Sequence, residues 1–199
     1  VLRDPHAVPE KKFDDIIKQY RTIRERYAKS KVVQGVPILI GRVYMLRKDY
    51  DKAREAYQQI FALYPENKVL GAEALASTGK SYEIEGNWPS ALKTYQKIIQ
   101  DYPLTGIGLG TPMYIANYYR TQNDYKHTMS AYDSAISHYQ NLVSQYANSP
   151  LGFHALRFLA NCYLDQNRWK EAIDTFAQIL LNYATAEYMN ARTADMIVK

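Results

Sequence analysis

The sequence predicts an all-α protein made of about four to five antiparallel helix hairpins that stack into a solenoid. The first observation is a tyrosine followed by proline or alanine, which recurs at intervals of 37, 38, 44 and 37 residues. The second is that aromatic and aliphatic residues keep a fixed distance from each of these tyrosines. A near-constant period between about 20 and 50 residues indicates a repeat architecture. The five dipeptides are Tyr27-Ala28, Tyr64-Pro65, Tyr102-Pro103, Tyr146-Ala147 and Tyr183-Ala184.

Each of these tyrosines is predicted to end a helix that buries one apolar face. Seven residues before it stands an aromatic residue, and four residues before it stands isoleucine or leucine. Spacings of three, four and seven residues place side chains on one face of an α-helix. The aromatic residues are Tyr20, Tyr57, Tyr95, Tyr139 and Phe176, and the aliphatic residues are Ile23, Ile60, Ile98, Leu142 and Ile179. The first of these helices is predicted from about Pro9 to Lys29.

The interval of 44 residues predicts one helix that is longer than the others. It exceeds the common interval of 37 by seven residues, which is about two helical turns. An insertion of that size lengthens a helix and hardly rotates its buried face. We therefore expect one continuous helix from about Asp124 to Tyr146.

A second helix is predicted upstream of each of these helices, with a short turn between the two. Small residues there, which allow close helix packing, are each followed three residues later by tyrosine. These pairs are Gly41 and Tyr44, Gly79 and Tyr82, Ala116 and Tyr119, and Ala160 and Tyr163. Asp49, Asn87 and Asp124 are predicted N-caps of the helices that follow the turns. The predicted units span residues 9–32, 33–70, 71–108, 109–149 and 150–186, with a terminal helix at 186–199.

This arrangement of small residues, tyrosines and prolines resembles the tetratricopeptide repeat. The best copies are Gly41, Tyr44, Ala53, Tyr57, Pro65 and Gly79, Tyr82, Ala91, Tyr95, Pro103. The resemblance covers roughly Lys12 to Ala184 and implies a right-handed superhelix. The units are 37 or 38 residues long instead of the usual 34, and they end in Tyr-Pro. That longer unit resembles the repeats of bacterial envelope proteins such as the outer-membrane assembly lipoprotein and the Tol-system coordinator.

The resemblance also implies a binding surface on the concave side, formed by the first helix of each hairpin. Carried over position by position, the groove residues are Ile38, Arg42, Met45, Ala76, Lys80, Glu83, Met113, Asn117, Arg120, Arg157, Asn161 and Leu164. An asparagine amide there could bond a peptide backbone through both its donor and its acceptor. With its arginines and lysine the groove is predicted to be mildly basic and to suit an extended peptide with acidic groups. The family's carboxylate clamp is not matched, because its lysine and asparagine set is incomplete. The alternative is that these are merely polar positions on exposed helices.

Composition and charge fit one elongated domain. Of 199 residues 47% are apolar, and no apolar run approaches the ~20 residues that span a bilayer. The net charge is +5, and residues 11–31 alone carry eight Lys or Arg against three acidic residues. This basic first helix could contact acidic lipid headgroups at a membrane surface, nucleic acid or an acidic partner. The alternative is a solvated outer face.

The residues with catalytic or metal-binding chemistry show no constellation that indicates an active site. The histidines His6, His127, His138 and His154 have no metal-ligand spacing, and Cys162 is the single cysteine. His154 and Cys162 are eight residues apart, which turns them about 80° from each other on a helix. We therefore expect no catalytic residue, no metal, no cofactor and no small-molecule substrate, and we interpret Cys162 as a buried core residue.

The glycines at residues 106, 108 and 110 resemble a phosphate-binding loop only superficially. Such a loop follows a strand, and the segment before this one is predicted to be a helix that ends at Tyr102. We instead expect Gly106, Gly108 and Gly110 to replace a helical turn as a flexible segment, with Thr111 and Pro112 starting the next helix.

Three functional classes follow from these features. The one we favour is a non-catalytic scaffold that binds a protein or an extended peptide, in the bacterial periplasm or at the outer membrane, with the cytoplasm as the alternative. The second is a regulatory or substrate-recruiting module of a larger enzyme or secretion machine. The third is a helical-repeat nucleic-acid binder, which we do not expect because no polar pair recurs at a fixed position in each repeat. Because the first and last helices lack partners, we expect a segment of a longer protein that could self-associate through its ends.

Overall fold

The helices follow one another through residues 9–183, the part of the chain that the structure, a computed structural model, describes. They are α1 (Glu10–Arg26), α2 (Val36–Leu46), α3 (Tyr50–Leu63), α4 (Lys68–Ile84), α5 (Trp88–Asp101), α6 (Gly106–Thr121), α7 (Tyr125–Gln145), α8 (Pro150–Asp165) and α9 (Trp169–Tyr183), with a 3-10 turn at Lys31–Gly35 between α1 and α2. Residues 9–183 contain no strand. The predicted all-α fold of helix hairpins is therefore confirmed, whereas the predicted terminal helix at 186–199 lies outside the described residues.

The helices belong to two compact units, one ending at Ile107 and the other beginning at Gly108, within α6. In the first unit, α2 pairs with α3 and α4 with α5, and α1 packs on α2. In the second unit, α7 packs on α8, which pairs with α9. Within residues 9–183, no helix combines the length and the apolar character that crossing a bilayer requires.

The turn inside each hairpin repeats one backbone geometry. The tyrosine of each predicted pair accepts a backbone hydrogen bond from the residue five positions later, as in Asp49 N–H to Tyr44 O (3.0 Å) and Asn87 N–H to Tyr82 O (2.8 Å). This six-to-one bond is the Schellman C-cap, which needs a left-handed residue after the helix. The left-handed residues are Lys48, Gly86, Asn123 and Asn167, with φ of 61°, 78°, 57° and 57°.

The predicted N-caps are confirmed in the same turns. The side chains of Asp49, Asn87 and Asp124 accept hydrogen bonds from the backbone N–H three residues later, at 3.4, 3.2 and 3.1 Å. Each cap satisfies a backbone donor at the start of the second helix. Cap and Schellman turn together fix the chain reversal locally, before tertiary packing contributes.

The small residues of the first helices accommodate aromatic rings of the second helices. A Cβ built on Gly41 would lie 2.1 Å from Tyr57 Cε1, and one on Gly79 would lie 2.6 Å from Tyr95 Cε1. Ala116 and Ala160 are fully buried. The small residue thus makes room for a ring of the neighbouring helix.

Helix α7 is the overlong helix that the interval of 44 residues predicts. It has 21 residues, compared with 14 in α3 and in α5, and its caps are Asp124 and Tyr146. The extension adds an aromatic residue to the core, since Tyr132 and Tyr139 are both almost fully buried. The prediction of a helix from about Asp124 to Tyr146 is therefore confirmed.

The expectation of a flexible glycine segment before α6 is wrong. The helix begins at Gly106, contains Pro112, and buries Thr111, the residue that the sequence predicts at the start of the helix. Leu109 packs into the core of the second unit, and Tyr139 Oη donates a hydrogen bond to Leu109 O at 2.6 Å. This bond and the burial of Leu109 anchor the first turn of the helix, which propensity alone would disfavour.

Candidate functional site

The predicted groove residues lie on the first helices of the hairpins, α2, α4, α6 and α8. Arg42, Lys80 and Arg120 are exposed. The half-buried members are Met45, Ala76, Glu83, Met113, Asn117, Arg157, Asn161 and Leu164. Ile38 is only 2% exposed and lies in a core cluster with Tyr57. The prediction that Ile38 contacts a ligand is therefore wrong, because the same cluster includes residues of α4 that cover it.

The first surface, which belongs to the first unit, consists of Arg42, Glu73, Lys80 and Glu83. Arg42 Nη2 lies 2.9 Å from Glu73 Oε1, so that an ion pair joins α2 to α4. Lys80 pairs with Glu83 on the same helix, and the second carboxylate oxygen of Glu83 accepts a hydrogen bond from Tyr95 Oη at 3.0 Å. The buried ring of Tyr95 thereby fixes the position of a carboxylate at the surface.

The second surface, which belongs to the second unit, consists of Asn117, Arg120, Tyr132 and Asp165. Tyr132 Oη lies 3.0 Å from Asn117 Oδ1 and 2.9 Å from Asp165 Oδ2, and Arg120 Nη1 lies 3.6 Å from Asp165 Oδ1. The ring of Tyr132 is 1% exposed, whereas half of the Arg120 side chain is in solvent. The network thus extends from the core to the surface and connects α6, α7 and α8.

The hydroxyl of Tyr132 decides the orientation of this network. It carries one proton, and a charged carboxylate is a stronger acceptor than an amide oxygen. The proton therefore goes to Asp165, and a half-turn of the Asn117 amide allows its N–H to donate to the hydroxyl. Burial, and then the hydrogen bond to Asp165, raise the pKa of Tyr132, so that the hydroxyl remains a donor at physiological pH.

Three further groove residues lie on α8. Arg157 is half-buried, its guanidinium lies 5.7 Å from the centre of the Phe153 ring, and its buried Nε has no hydrogen-bond partner among residues 9–183. Leu164 packs against the core, and Asn161 is half-buried on the same helix. A ligand at this helix would meet a cation with an unused donor and an amide.

The charge of the two surfaces differs from the mildly basic groove that we predicted. Arg42, Lys80 and Arg120 each face a carboxylate, that of Glu73, Glu83 and Asp165 respectively. Paired charges leave little net potential for a distant anion. The first surface is close to neutral, and in the second surface Arg157 supplies the cation that no acidic side chain among residues 9–183 balances within ion-pair distance.

The sequence reasoning missed Glu73, Asp165 and the hydroxyls of Tyr95 and Tyr132. Glu73 is three residues before Ala76, so continuing the groove stripe by one helical turn would have found it. Asp165 directly follows Leu164 at the end of α8 and would have required the turn geometry. The repeat pattern assigns both tyrosines a core role alone, because it shows where a ring lies and leaves its hydroxyl undetermined.

The sulfhydryl and imidazole groups are not arranged for chemistry. Cys162 is fully buried, and burial raises the pKa of its thiol to about 12. His127 Nδ1 lies 2.6 Å from the N-cap Asp124, and its ring stacks on Tyr119. Across residues 9–183, no three His, Cys, Asp or Glu side chains are grouped closely enough to hold a metal ion.

Comparison with known proteins identifies the hairpins as a recurrent type. Three family models described as tetratricopeptide repeat match residues 38–67, 73–105 and 128–194, which correspond to α2–α3, α4–α5 and the chain from α7 onward. No curated protein matches the sequence significantly.

Solved structures with a similar course of helices share little sequence with this chain. The crystal structure of MamA is 16% identical, with 85% of this chain and 88% of that chain covered and a TM-score of 0.43. For BtubC (BKLC) from P. vanneervenii the values are 13%, 94%, 78% and 0.49. For TTC0263, a thermophilic TPR protein in Thermus thermophilus, they are 17%, 83%, 100% and 0.38.

Proposed function

Because this chain belongs to the tetratricopeptide repeat superfamily, we propose that it is a non-catalytic scaffold that binds a protein partner on the first helices of its hairpins. Repeats of this family generally mediate protein–protein interactions. The observation that carries the proposal is the second surface, where buried Tyr132 holds Asn117 and Asp165 in place. The partner segment is an extended peptide that bonds with these groups.

Pre-organisation is the physical reason why this network suits binding. A side chain that is already held in one conformation loses less entropy when a ligand arrives. Asn117 keeps the rest of its amide for a peptide backbone after bonding to Tyr132, and exposed Arg120 can exchange solvent for a peptide carboxylate. The bond to Tyr132 and the packing of its ring thus fix a donor and acceptor pattern at the surface before the partner binds.

The same proposal assigns no chemical step to the protein. A cysteine nucleophile acts as the thiolate, and the raised pKa of Cys162 together with its full burial opposes that form. The polar groups of both surfaces are engaged in hydrogen bonds and ion pairs that position them. They provide recognition and no proton transfer.

We also propose that the protein works in the bacterial envelope, in the periplasm or attached to the outer membrane. The support is the unit of 37 or 38 residues with its Tyr-Pro terminus. Fractionation of cells that express the protein from its natural gene tests this location. Recovery in the periplasmic or outer-membrane fraction supports it, and recovery in the cytoplasm contradicts it.

Site-specific cross-linking tests the binding surface. The photoreactive residue p-benzoylphenylalanine is placed at Arg42 or Arg120, and at exposed Lys93 and Lys126 on second helices as controls. We expect a defined protein, identified by mass spectrometry, to be captured from positions 42 or 120 only. The purified partner should then bind an Asn117→Ala, Arg120→Glu variant at least about tenfold more weakly by calorimetry, a loss of about 1.4 kcal/mol. Equal capture from the control positions, or unchanged affinity, would overturn the proposal.

A further inference from the structure

A cleft of about 70 Å³ lies between α1 and α3, on a side of α2 that the first surface does not use. Its floor includes Ile40 and Tyr44 of α2. Each of these is two residues from Arg42, which places them on the opposite side of the helix. The cleft is therefore a separate place on the first unit.

The rim of the cleft is cationic. Arg21 and Arg24 come from α1, and Lys52, Glu55 and Gln59 come from α3. Three cations and one carboxylate line the cleft, which leaves an excess of two positive charges among the lining residues. The basic character of α1 is thus concentrated at a concave place.

The acidic residues on the same edge of α1 do not cancel this charge. Arg47 holds Asp14 at 2.6 Å and Glu10 at 3.6 Å, one or more turns away from the cleft. Arg24 Nη1 donates to the neutral Gln59 Oε1 at 3.2 Å and so keeps its full charge. Within residues 9–183, neither Arg21 nor Arg24 forms an ion pair with a carboxylate.

Geometry on the α3 side adds a third cation. Lys52 Nζ lies 2.7 Å from Asp49 and 5.9 Å from the centre of the Tyr44 ring. Contact with a ring face holds an ammonium group near the cleft while leaving donors free. The hydrogen bond from Arg24 to Gln59 fixes the width of the cleft by tying α1 to α3.

We propose that this cleft is a second docking site, for an acidic segment of a protein partner, with a glutamate or aspartate carboxylate seated between Arg21 and Arg24. A guanidinium group matches a carboxylate through two parallel hydrogen bonds. The apolar floor formed by Ile40 and Ala56 receives the methylene groups of the same side chain. Exposed Lys18, one turn before Arg21, is placed for the next acidic residue of the segment.

A peptide fits this place better than a long polyanion does. Asp15 and Glu25 are exposed on α1, and Glu55 lies on the rim, so that the cationic surface is interrupted. Continuous phosphate backbones and lipid surfaces favour extended, uninterrupted basic areas. A single carboxylate needs only the cleft itself.

Fluorescence anisotropy with a labelled peptide of alternating glutamate and serine tests the site. The variant is Arg21→Gln, Arg24→Gln, and the matched control is Lys12→Gln, Arg26→Gln, which removes the same charge from exposed positions of α1. Circular dichroism verifies that both remain folded. We expect the affinity for the peptide to fall at least about tenfold in the first variant and less than about twofold in the control.

Three results would overturn the inference. One is the absence of measurable binding of the glutamate peptide to the unmodified protein. Another is an equal loss of affinity in the variant and in the control, which would show a general charge effect. The last is tighter binding of a thymidine oligonucleotide or of phosphatidylglycerol vesicles with the same dependence on Arg21 and Arg24, which would reassign the cleft to nucleic acid or to a membrane surface.

Discussion

The ring of Tyr57 on α3 lies directly over the backbone of Gly41 on α2. A Cβ at residue 41 would fall 2.1 Å from Tyr57 Cε1, far inside van der Waals contact, and Tyr57 itself is 1% exposed. The next hairpin repeats the relationship with Gly79 and Tyr95. The small residue of the repeat is therefore paired with one specific ring, and each hairpin is stabilised by that contact.

Replacing Gly41 with alanine should destabilise the protein by about 1–3 kcal/mol, because the buried ring of Tyr57 must move to admit the methyl group. The matched control is Gly110→Ala in α6, where a Cβ meets no atom within 4 Å. There the higher helix propensity of alanine should stabilise by up to about 1 kcal/mol. Urea unfolding measures both changes. A gain in stability at position 41 would show that the packing is misassigned.

Arg54 is predicted to stabilise the first unit by linking α3 to α4. Its side chain is 14% exposed, pairs with Glu85 and Asp51, and lies 4.3 Å from the centre of the Tyr82 ring. Arg54→Met should cost about 1–3 kcal/mol, because the half-buried Glu85 loses its partner. The control Arg26→Met, at an exposed position of α1, should change thermal stability little. Equal melting shifts in the two variants would refute this role.

Cys162 is predicted to be unreactive in the folded protein. The thiol is fully buried and burial raises its pKa to about 12, so that both access and thiolate formation are suppressed. A thiol reagent at pH 8 should label the native protein very slowly and the urea-unfolded protein rapidly. A cysteine at exposed Ser130, in a Cys162→Ala background, should react at the rate of a free thiol. Fast labelling of Cys162 without denaturant would contradict its burial.

His138 is predicted to make the protein less stable at mildly acidic pH. Burial lowers the pKa of His138 from its ordinary 6.5, and its buried Nε2 has no hydrogen-bond partner among residues 9–183. Between the lowered folded pKa and 6.5, the unfolded chain binds more protons, so stability falls as pH falls through this range. His154 acts in the same direction, since burial and Arg157 lower its pKa.

Urea unfolding between pH 7 and pH 5 measures this dependence. His138→Phe keeps a ring in contact with Tyr139 and removes the titrating group, so the loss of stability on acidification should become smaller. His127→Asn, at an exposed position, should leave the dependence closer to that of the unmodified protein. If His138→Phe is as sensitive to acid as the unmodified protein, the pH effect originates elsewhere.

The parts of the fold that depend on local chemistry could be predicted from the sequence. Asp49, Asn87 and Asp124 cap helices through side chains that bond three residues ahead, and this interaction requires no distant contact. The length of α7 followed from a seven-residue insertion, because helical geometry fixes what two turns do to a buried face.

The errors fall where tertiary packing outweighs local preference. Glycines 106, 108 and 110 disfavour a helix, yet Leu109 is buried and its carbonyl accepts the hydrogen bond from Tyr139, thirty residues away. The position of Ile38 in the repeat suggested an open groove, but its side chain is enclosed in a core cluster with residues of α4. Neither contact can be read from residues that are neighbours in sequence.

The candidate site was predicted in position and incompletely in chemistry. Asn117 and Arg120 lie on the expected helix, but the carboxylate that Arg120 faces, Asp165, comes from the end of α8. Pairings of this kind depend on the separation of neighbouring hairpins, which a repeat period does not provide. The predicted preference for acidic peptides consequently does not follow from counting the cations in the groove.

The affinity of Tyr132→Phe for the protein that is cross-linked from position 120 tests the central claim most directly. This change keeps the buried ring and removes the hydroxyl that holds Asn117 and Asp165. Tyr139→Phe is the control, because its hydroxyl bonds to Leu109 O inside the core. We predict that calorimetry finds at least about threefold weaker binding for Tyr132→Phe, or about 0.65 kcal/mol, and unchanged binding for Tyr139→Phe. Unchanged affinity in Tyr132→Phe, or an equal loss in both variants, would contradict the account.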